Sequence, residues 1–69
     1  MTPGVPDIFI AVPRREYHGM FLELKSLKGR ASKEQLEMLT RLSNEGYFTA
    51  ICNSLEEAIE YISYYLKEI

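Results

Sequence analysis

Three charged residues stand where a short chain has least room for them. Asp7 opens the apolar run "DIFIAV" (7–12), and Glu23 and Lys25 lie inside a second run, "GMFLELK" (19–25). Both runs read as strands, although acids and lysines are poor strand formers. The segment "PRREYH" (13–18) joins them. A hairpin centred on that turn sets the start of the first strand against the end of the second. Asp7 therefore falls near Glu23 and Lys25, across an interstrand spacing of ~4.8 Å. Two carboxylates that close repel unless positive charge sits between them. Mg²⁺ meets that need, because it takes oxygen ligands, keeps several waters, and is commonly held by one or two carboxylates together with substrate phosphates. The lysine would hold or deprotonate a water, and the metal would offset charge on a phosphodiester in its transition state. The same residues also fit a structural Glu–Lys or Asp–Lys pair with no chemistry attached.

The elements that must position these groups follow from periodicity. In the second strand Met20, Leu22 and Leu24 alternate with Phe21, Glu23 and Lys25, so Glu23 and Lys25 share a face. "SLKGRA" (26–31) is a loop pivoting on Gly29. "SKEQLEMLTRLSNEG" (32–46) reads as a helix, with Ser32 as N-cap, Gln35 completing a capping box and Gly46 at C′. Its expected buried stripe is Leu36, Leu39 and Leu42, with Met38 at the margin. "YFTAIC" (47–52) is a third strand. "NSLEEAIEYISYYLKEI" (53–69) is a second helix, with a capping box from Ser54 and Glu57. Its stripe runs Leu55, Ala58, Ile59, Ile62, Leu66 and Ile69, widened by Tyr61, Tyr64 and Tyr65. The order β-β-α-β-α predicts an α/β fold over residues 1–69. It has a mixed three-stranded sheet, a β-hairpin and a right-handed βαβ unit with parallel strands.

Composition narrows the function classes. The single cysteine, Cys52, excludes an internal disulfide, and nothing resembles a structural zinc site, so the expected setting is reduced and intracellular. "MTPGVPD" has no basic region ahead of an apolar stretch and does not read as a signal peptide. The longest apolar run falls far short of the ~20 residues of a membrane helix. The formal net charge is −2, but it is unevenly spread. Residues 1–35 hold six basic and four acidic residues, and residues 36–69 hold two basic and six acidic ones. Lys25, Lys28, Arg30 and Lys33 form a local basic loop with no acid among them, either a phosphate-binding element or a solvated loop. His18, beside Arg14, Arg15 and Tyr17, reads as a solvated turn histidine more than a phosphate contact. Cys52 reads as a buried apolar residue, since no histidine is placed to activate it.

The pattern "GVPDIFIAV…GMFLELK…S-KEQ…L…GY" resembles the VRR-NUC domain, a branch of the PD-(D/E)XK nuclease superfamily with a restriction-endonuclease-like core. The family's Pro-Asp falls on Pro6-Asp7, its (D/E)xK on Glu23-Leu24-Lys25, its helical glutamine on Gln35, and its glycine-aromatic pair on Gly46-Tyr47. The resemblance implies Mg²⁺ or Mn²⁺ held by Asp7, Glu23 and the backbone carbonyl of Leu24, with Lys25 as the catalytic lysine. Gln35 would support the site or the substrate. It also implies endonuclease cleavage of DNA, branched or structured, with Lys28, Arg30 and Lys33 placed to meet phosphates. The family core begins with a helix and a strand ahead of the Pro-Asp strand, which this chain is expected to lack. An apolar sheet edge at 7–12, or the face beside it, would then favour a homodimer. The alternative is a non-catalytic module that binds DNA or a protein.

Overall fold

The computed structural model describes residues 5–25 and 29–67. The elements are β1 (Ile8–Ile10), β2 (Met20–Leu24), α1 (Lys33–Asn44), β3 (Phe48–Cys52) and α2 (Leu55–Leu66). They form a mixed sheet in the order β1-β2-β3. β1 pairs antiparallel with β2, Ile8 opposite Leu22, Phe9 opposite Phe21 and Ile10 opposite Met20. β2 pairs parallel with β3, Met20 opposite Phe48 through Leu24 opposite Cys52, and α1 makes the crossover. This is the expected fold class and element order.

The first strand is shorter than the 7–12 expected from its apolar run. Ala11 and Val12 leave the ladder, and the Val12 carbonyl instead accepts the Tyr65 hydroxyl at 2.7 Å. Pro13 has no amide to donate, so pairing stops there. Arg14 and Tyr17 then exchange backbone bonds of 3.2 and 2.9 Å, which closes a tight turn with Arg15 at φ 54°. That turn reaches α2. Arg15 donates to the Tyr65 and Tyr64 carbonyls at 3.3 and 3.1 Å, and Arg14 Nε donates to the Leu66 carbonyl at 3.4 Å. α2 has no basic residue in its last turn, and the hairpin supplies the charge its C-terminal carbonyls favour.

α1 starts on the expected capping box. Ser32 Oγ accepts the Gln35 amide at 3.1 Å and Gln35 Oε1 accepts the Ser32 amide at 2.8 Å. It ends at Gly46, whose φ of 97° suits the C′ position. The α2 cap differs from expectation. Ser54 Oγ accepts the Glu57 amide, but the Glu57 carboxylate accepts the amide of Asn53 rather than that of Ser54.

The two helices cover opposite faces of the sheet. On one face Met20, Leu22 and Cys52 pack under Ala58 and Tyr65 of α2, all fully or almost fully buried, with Ile8, Ile10, Leu24, Phe48, Ala50, Ile62 and Leu66 around them. Each large apolar side chain so buried is worth about 1.5–3 kcal/mol. The α2 stripe is therefore centred on Ala58, Ile62 and Tyr65. Leu55 and Ile59, expected inside it, are 68% and 54% exposed. Ile69 lies outside the described residues. On the other face α1 packs against β3. Leu39 is buried and Met38 and Leu42 are half-buried, but Leu36 is 49% exposed, because a helix lying over one strand covers only part of its apolar stripe. Among the described residues no helix is long and apolar enough to cross a membrane.

Candidate active site

The site forms where β1 begins and β2 ends, on the face that α1 leaves partly open. Continuing the β1–β2 register by one residue sets Asp7 opposite Glu23. Directly opposed residues project from the same face, which is why the three charges meet. Asp7 is exposed, and its Oδ2 accepts the Leu24 amide at 2.8 Å. That amide holds the Asp7 carboxyl below the usual carboxylate range, and the neighbouring Glu23 carboxyl works in the same direction. At neutral pH Asp7 is an oriented carboxylate with one oxygen committed to the backbone.

Glu23 is the opposite case. It is 2% exposed, and its Oε1 has no hydrogen-bond partner among the described residues. Burial pushes its carboxyl up, and the Asp7 carboxylate pushes it further. Lys25 offsets part of this, with Nζ 3.4 Å from Glu23 Oε2. The Lys25 amide donates to the Cys52 carbonyl at 2.8 Å, which fixes the end of β2 against β3. A buried polar atom with no partner costs about 1–3 kcal/mol, so the orphaned oxygen is an expensive feature to keep. A hard cation between Asp7 and Glu23 would fill that coordination. The donor set of two carboxylates fits Mg²⁺ or Mn²⁺ and is too small and too oxygen-rich for a zinc cage. Among the described residues no group of three or more His, Cys, Asp or Glu side chains forms a metal cluster.

The Gln35 oxygen is committed to the α1 capping box, as local geometry favoured. Arg30 and Lys33 are exposed at the start of α1, and Lys28 lies outside the described residues. His18 is exposed. Its amide donates to the Gly46 carbonyl at 2.9 Å and its ring meets Tyr47 edge-on at 5.8 Å. A Cβ on Gly46 would stand 2.7 Å from the His18 ring, so the close approach of hairpin and helix end needs glycine here. Cys52 is fully buried, and burial pushes its thiol up, with Glu57 adding to the effect, which makes it a poor nucleophile.

The sequence reading missed two groups. Phe9 stands two residues beyond Asp7 on the same face, stacked on Phe21 with ring centroids 4.5 Å apart. The signal was the alternation that already put Phe21 with Glu23, carried across to the first strand. The Arg14–Arg15 clamp on α2 joins residues about fifty apart in sequence, and no local pattern announces it.

Comparison with known proteins identifies the family and the fold. A family model, the VRR-NUC domain, matches residues 1–56. A solved structure described as a VRR_NUC domain protein aligns with a TM-score of 0.90 and 30% sequence identity, over 96% of this chain and 55% of that one. The chain thus spans about half the length of that neighbour. No curated protein is significantly similar to the chain in sequence. The three-stranded mixed sheet with its two helices matches the fold of that neighbour. The chain belongs to the VRR-NUC domain family, a nuclease-related family.

Proposed function

We propose that this chain carries the site of a metal-dependent DNA endonuclease, with branched or structured DNA as substrate. The observation that carries the reading is the buried Glu23 oxygen, unpartnered among the described residues, beside the Asp7 carboxylate that the Leu24 amide orients. Asp7, Glu23 and the Leu24 carbonyl would hold Mg²⁺ or Mn²⁺. A bound divalent cation supplies Lewis-acid polarisation of the phosphate and offsets the charge that develops on it. The protein's own groups do the rest. The Leu24 amide pins one Asp7 oxygen and leaves the other for the cation. The low polarity around Glu23 strengthens any charge interaction it makes. Lys25, anchored by its carboxylate neighbour and by the hydrogen bond its backbone N–H donates to the Cys52 carbonyl, would present an ammonium that can orient the attacking water or steady the phosphate. Arg30, Lys33 and Lys28 would meet flanking phosphates.

A nicking assay on branched DNA with Mg²⁺, Mn²⁺ or EDTA tests the reading. Cleavage should require the cation and vanish in Asp7→Asn. Replacing Lys28, Arg30 and Lys33 together by alanine should flatten the salt dependence of DNA binding, by roughly one unit of slope for each phosphate that is no longer neutralised. Absence of cation-dependent nicking by folded protein would favour the non-catalytic module. A second use of the same surface is pairing of two copies through β1 or the aromatic face beside it. Among the described residues β1 is an edge strand with no neighbour on its outer side. Light scattering at micromolar concentration checks that use, and a mass twice that of the 8.0 kDa chain would support it.

A further inference from the structure

We propose that Phe9 is a stacking platform for an unpaired nucleobase next to the scissile phosphate. This rests on the nuclease reading of the neighbouring carboxylates and adds to it a basis for choosing open DNA. Phe9 and Phe21 are directly opposed on β1 and β2. Their rings lie 4.5 Å apart and within 16° of parallel, so one face of Phe9 is covered by Phe21. Tyr47 supports the pair edge-on, 5.1 Å from Phe21 and 6.2 Å from Phe9. Phe9 nevertheless remains 52% exposed. A ring braced on one side and open on the other presents a flat apolar face at low entropic cost, the arrangement that binds bases without regard to sequence.

Placement connects that face to the chemistry. Side chains two apart on a strand share a face and stand about 6.8 Å apart. Phe9 is two residues from Asp7, and Phe21 two from Glu23, so the stacked pair and the carboxylates form adjacent rows. A phosphate at the carboxylates leaves its own base, or the next one, within reach of Phe9. Charge favours nucleic acid over a protein occupant, because Lys25, Arg30 and Lys33 supply cations around the end of β2 and the start of α1. Edge pairing by a second copy is the weaker fit, since β1 is three residues long and lies between Pro6 and Pro13. A base stacked inside a duplex cannot lie flat on the ring, so the platform favours single-stranded, frayed, gapped or branched DNA.

The test is binding by the full chain with Ca²⁺ in place of Mg²⁺, using a short single-stranded oligonucleotide and the blunt duplex of the same sequence. Wild type should prefer the single strand. Phe9→Ala should lose roughly five- to a hundred-fold in affinity for it, with the duplex changed less than about two-fold. Phe9→Leu keeps apolar bulk without a π face and should lose a similar amount. Phe9→Trp should retain binding. The chain has no other tryptophan, so quenching of its fluorescence by the single strand reports the stack directly. Equal losses on both DNAs, no loss, or no wild-type preference would overturn the proposal. So would a Phe9→Ala protein that falls from dimer to monomer without DNA, which would assign the ring to a second copy. Discrimination by Phe9 without any metal-dependent nicking supports the platform and sinks the nuclease reading. Nicking with Phe9→Ala binding like wild type sinks the platform alone.

Discussion

The two faces of this sheet are built from alternate residues of the same three strands, yet they obey opposite rules. On the α2 face every β2 position is apolar, and Met20, Leu22, Cys52 and Tyr65 have no exposed surface. Tyr65 is satisfied there, its hydroxyl donating to the Val12 carbonyl at 2.7 Å. On the α1 face the alternating positions of β1 and β2 carry Asp7, Phe9, Phe21, Glu23 and Lys25, and α1 packs on β3 instead. Here an aromatic ring is half exposed and a carboxylate oxygen is buried without a partner among the described residues. One face excludes water, and the other keeps charge and an aromatic ring within reach of it. The stability of the chain therefore rests on the first face, and substitutions on the second should alter function while sparing the fold.

The sharpest way to break that division is Lys25→Ala. If Lys25 positions a water or the phosphate, cleavage should fall about 10²–10⁴-fold, the range for loss of a positioned acid–base group. Circular dichroism should stay close to wild type, because the Lys25–Glu23 ion pair sits at the very end of the sheet. Collapse of the fold together with activity would mean that the pair serves the sheet.

Next in size is Leu22→Ala on the closed face. Leu22 is fully buried at the centre of the core, between Ile8 and Ala50 in the ladder. The expected cost is about 2–5 kcal/mol. A chain of this length has about 3–10 kcal/mol in total, so thermal or urea unfolding should show a large loss or no folded baseline. A drop of only a few tenths would show that the α2 face is loosely packed.

How much of this contrast was legible in the sequence depends on the range of each interaction. Helix starts and the end of α1 were, because Ser32, Gln35, Ser54 and Gly46 act within a few residues of themselves, whereas the second helix, read through to residue 69, stops at Leu66. The meeting of Asp7 with Glu23 was, because strand alternation and one turn determine it. Which apolar residues end up covered was not. Leu36, Leu55 and Ile59 satisfy helical periodicity, but their exposure depends on how many strands lie beneath each helix and on the fully buried Tyr65 that sets the α2 orientation. The length of β1 was hidden for the same reason, since Val12 leaves the ladder for a hydroxyl 53 residues away.

A smaller and oppositely signed effect is expected for Glu23→Gln. Glu23 has its folded pKa raised by burial, so its favourable contribution is full below the ordinary glutamate value of about 4.3 and is lost as pH climbs through the raised value. Asp7, depressed by the Leu24 amide, runs the other way: its contribution is present above about 3.9 and is lost as pH falls through the lowered value. The amide in Glu23→Gln cannot ionise. The variant should match wild type in acid and exceed it at neutral pH, because its amide carries no charge into the buried position, and the difference in Tm should open as pH climbs. Mg²⁺ should raise the Tm of wild type by mass action and leave the variant unchanged. A constant offset across pH would mean that Glu23 does not carry the cost.

The smallest effect concerns the hairpin turn, which ties the two strands bearing the site to the helix that closes the core. Arg15 donates to the Tyr64 and Tyr65 carbonyls and lies 4.7 Å above the Tyr64 ring. Cations at a helix C-terminus contribute about 0.3–1 kcal/mol when exposed, so Arg15→Ala should cost that amount and shift Tm by a few degrees. Arg15 also holds φ 54°, a left-handed conformation that disfavours any residue with a Cβ by about 1–2 kcal/mol. Arg15→Gly loses the same clamp but relieves that strain, at the expense of a more flexible unfolded chain. The glycine variant should therefore be at least as stable as the alanine variant, and salt should narrow the gap between wild type and both by screening the clamp. If alanine proves more stable than glycine, the turn is not strained in solution, and the hairpin is free to move relative to α2. In that case the carboxylate pair would be held by the β1–β2 ladder alone, and Arg15→Ala should leave metal binding untouched.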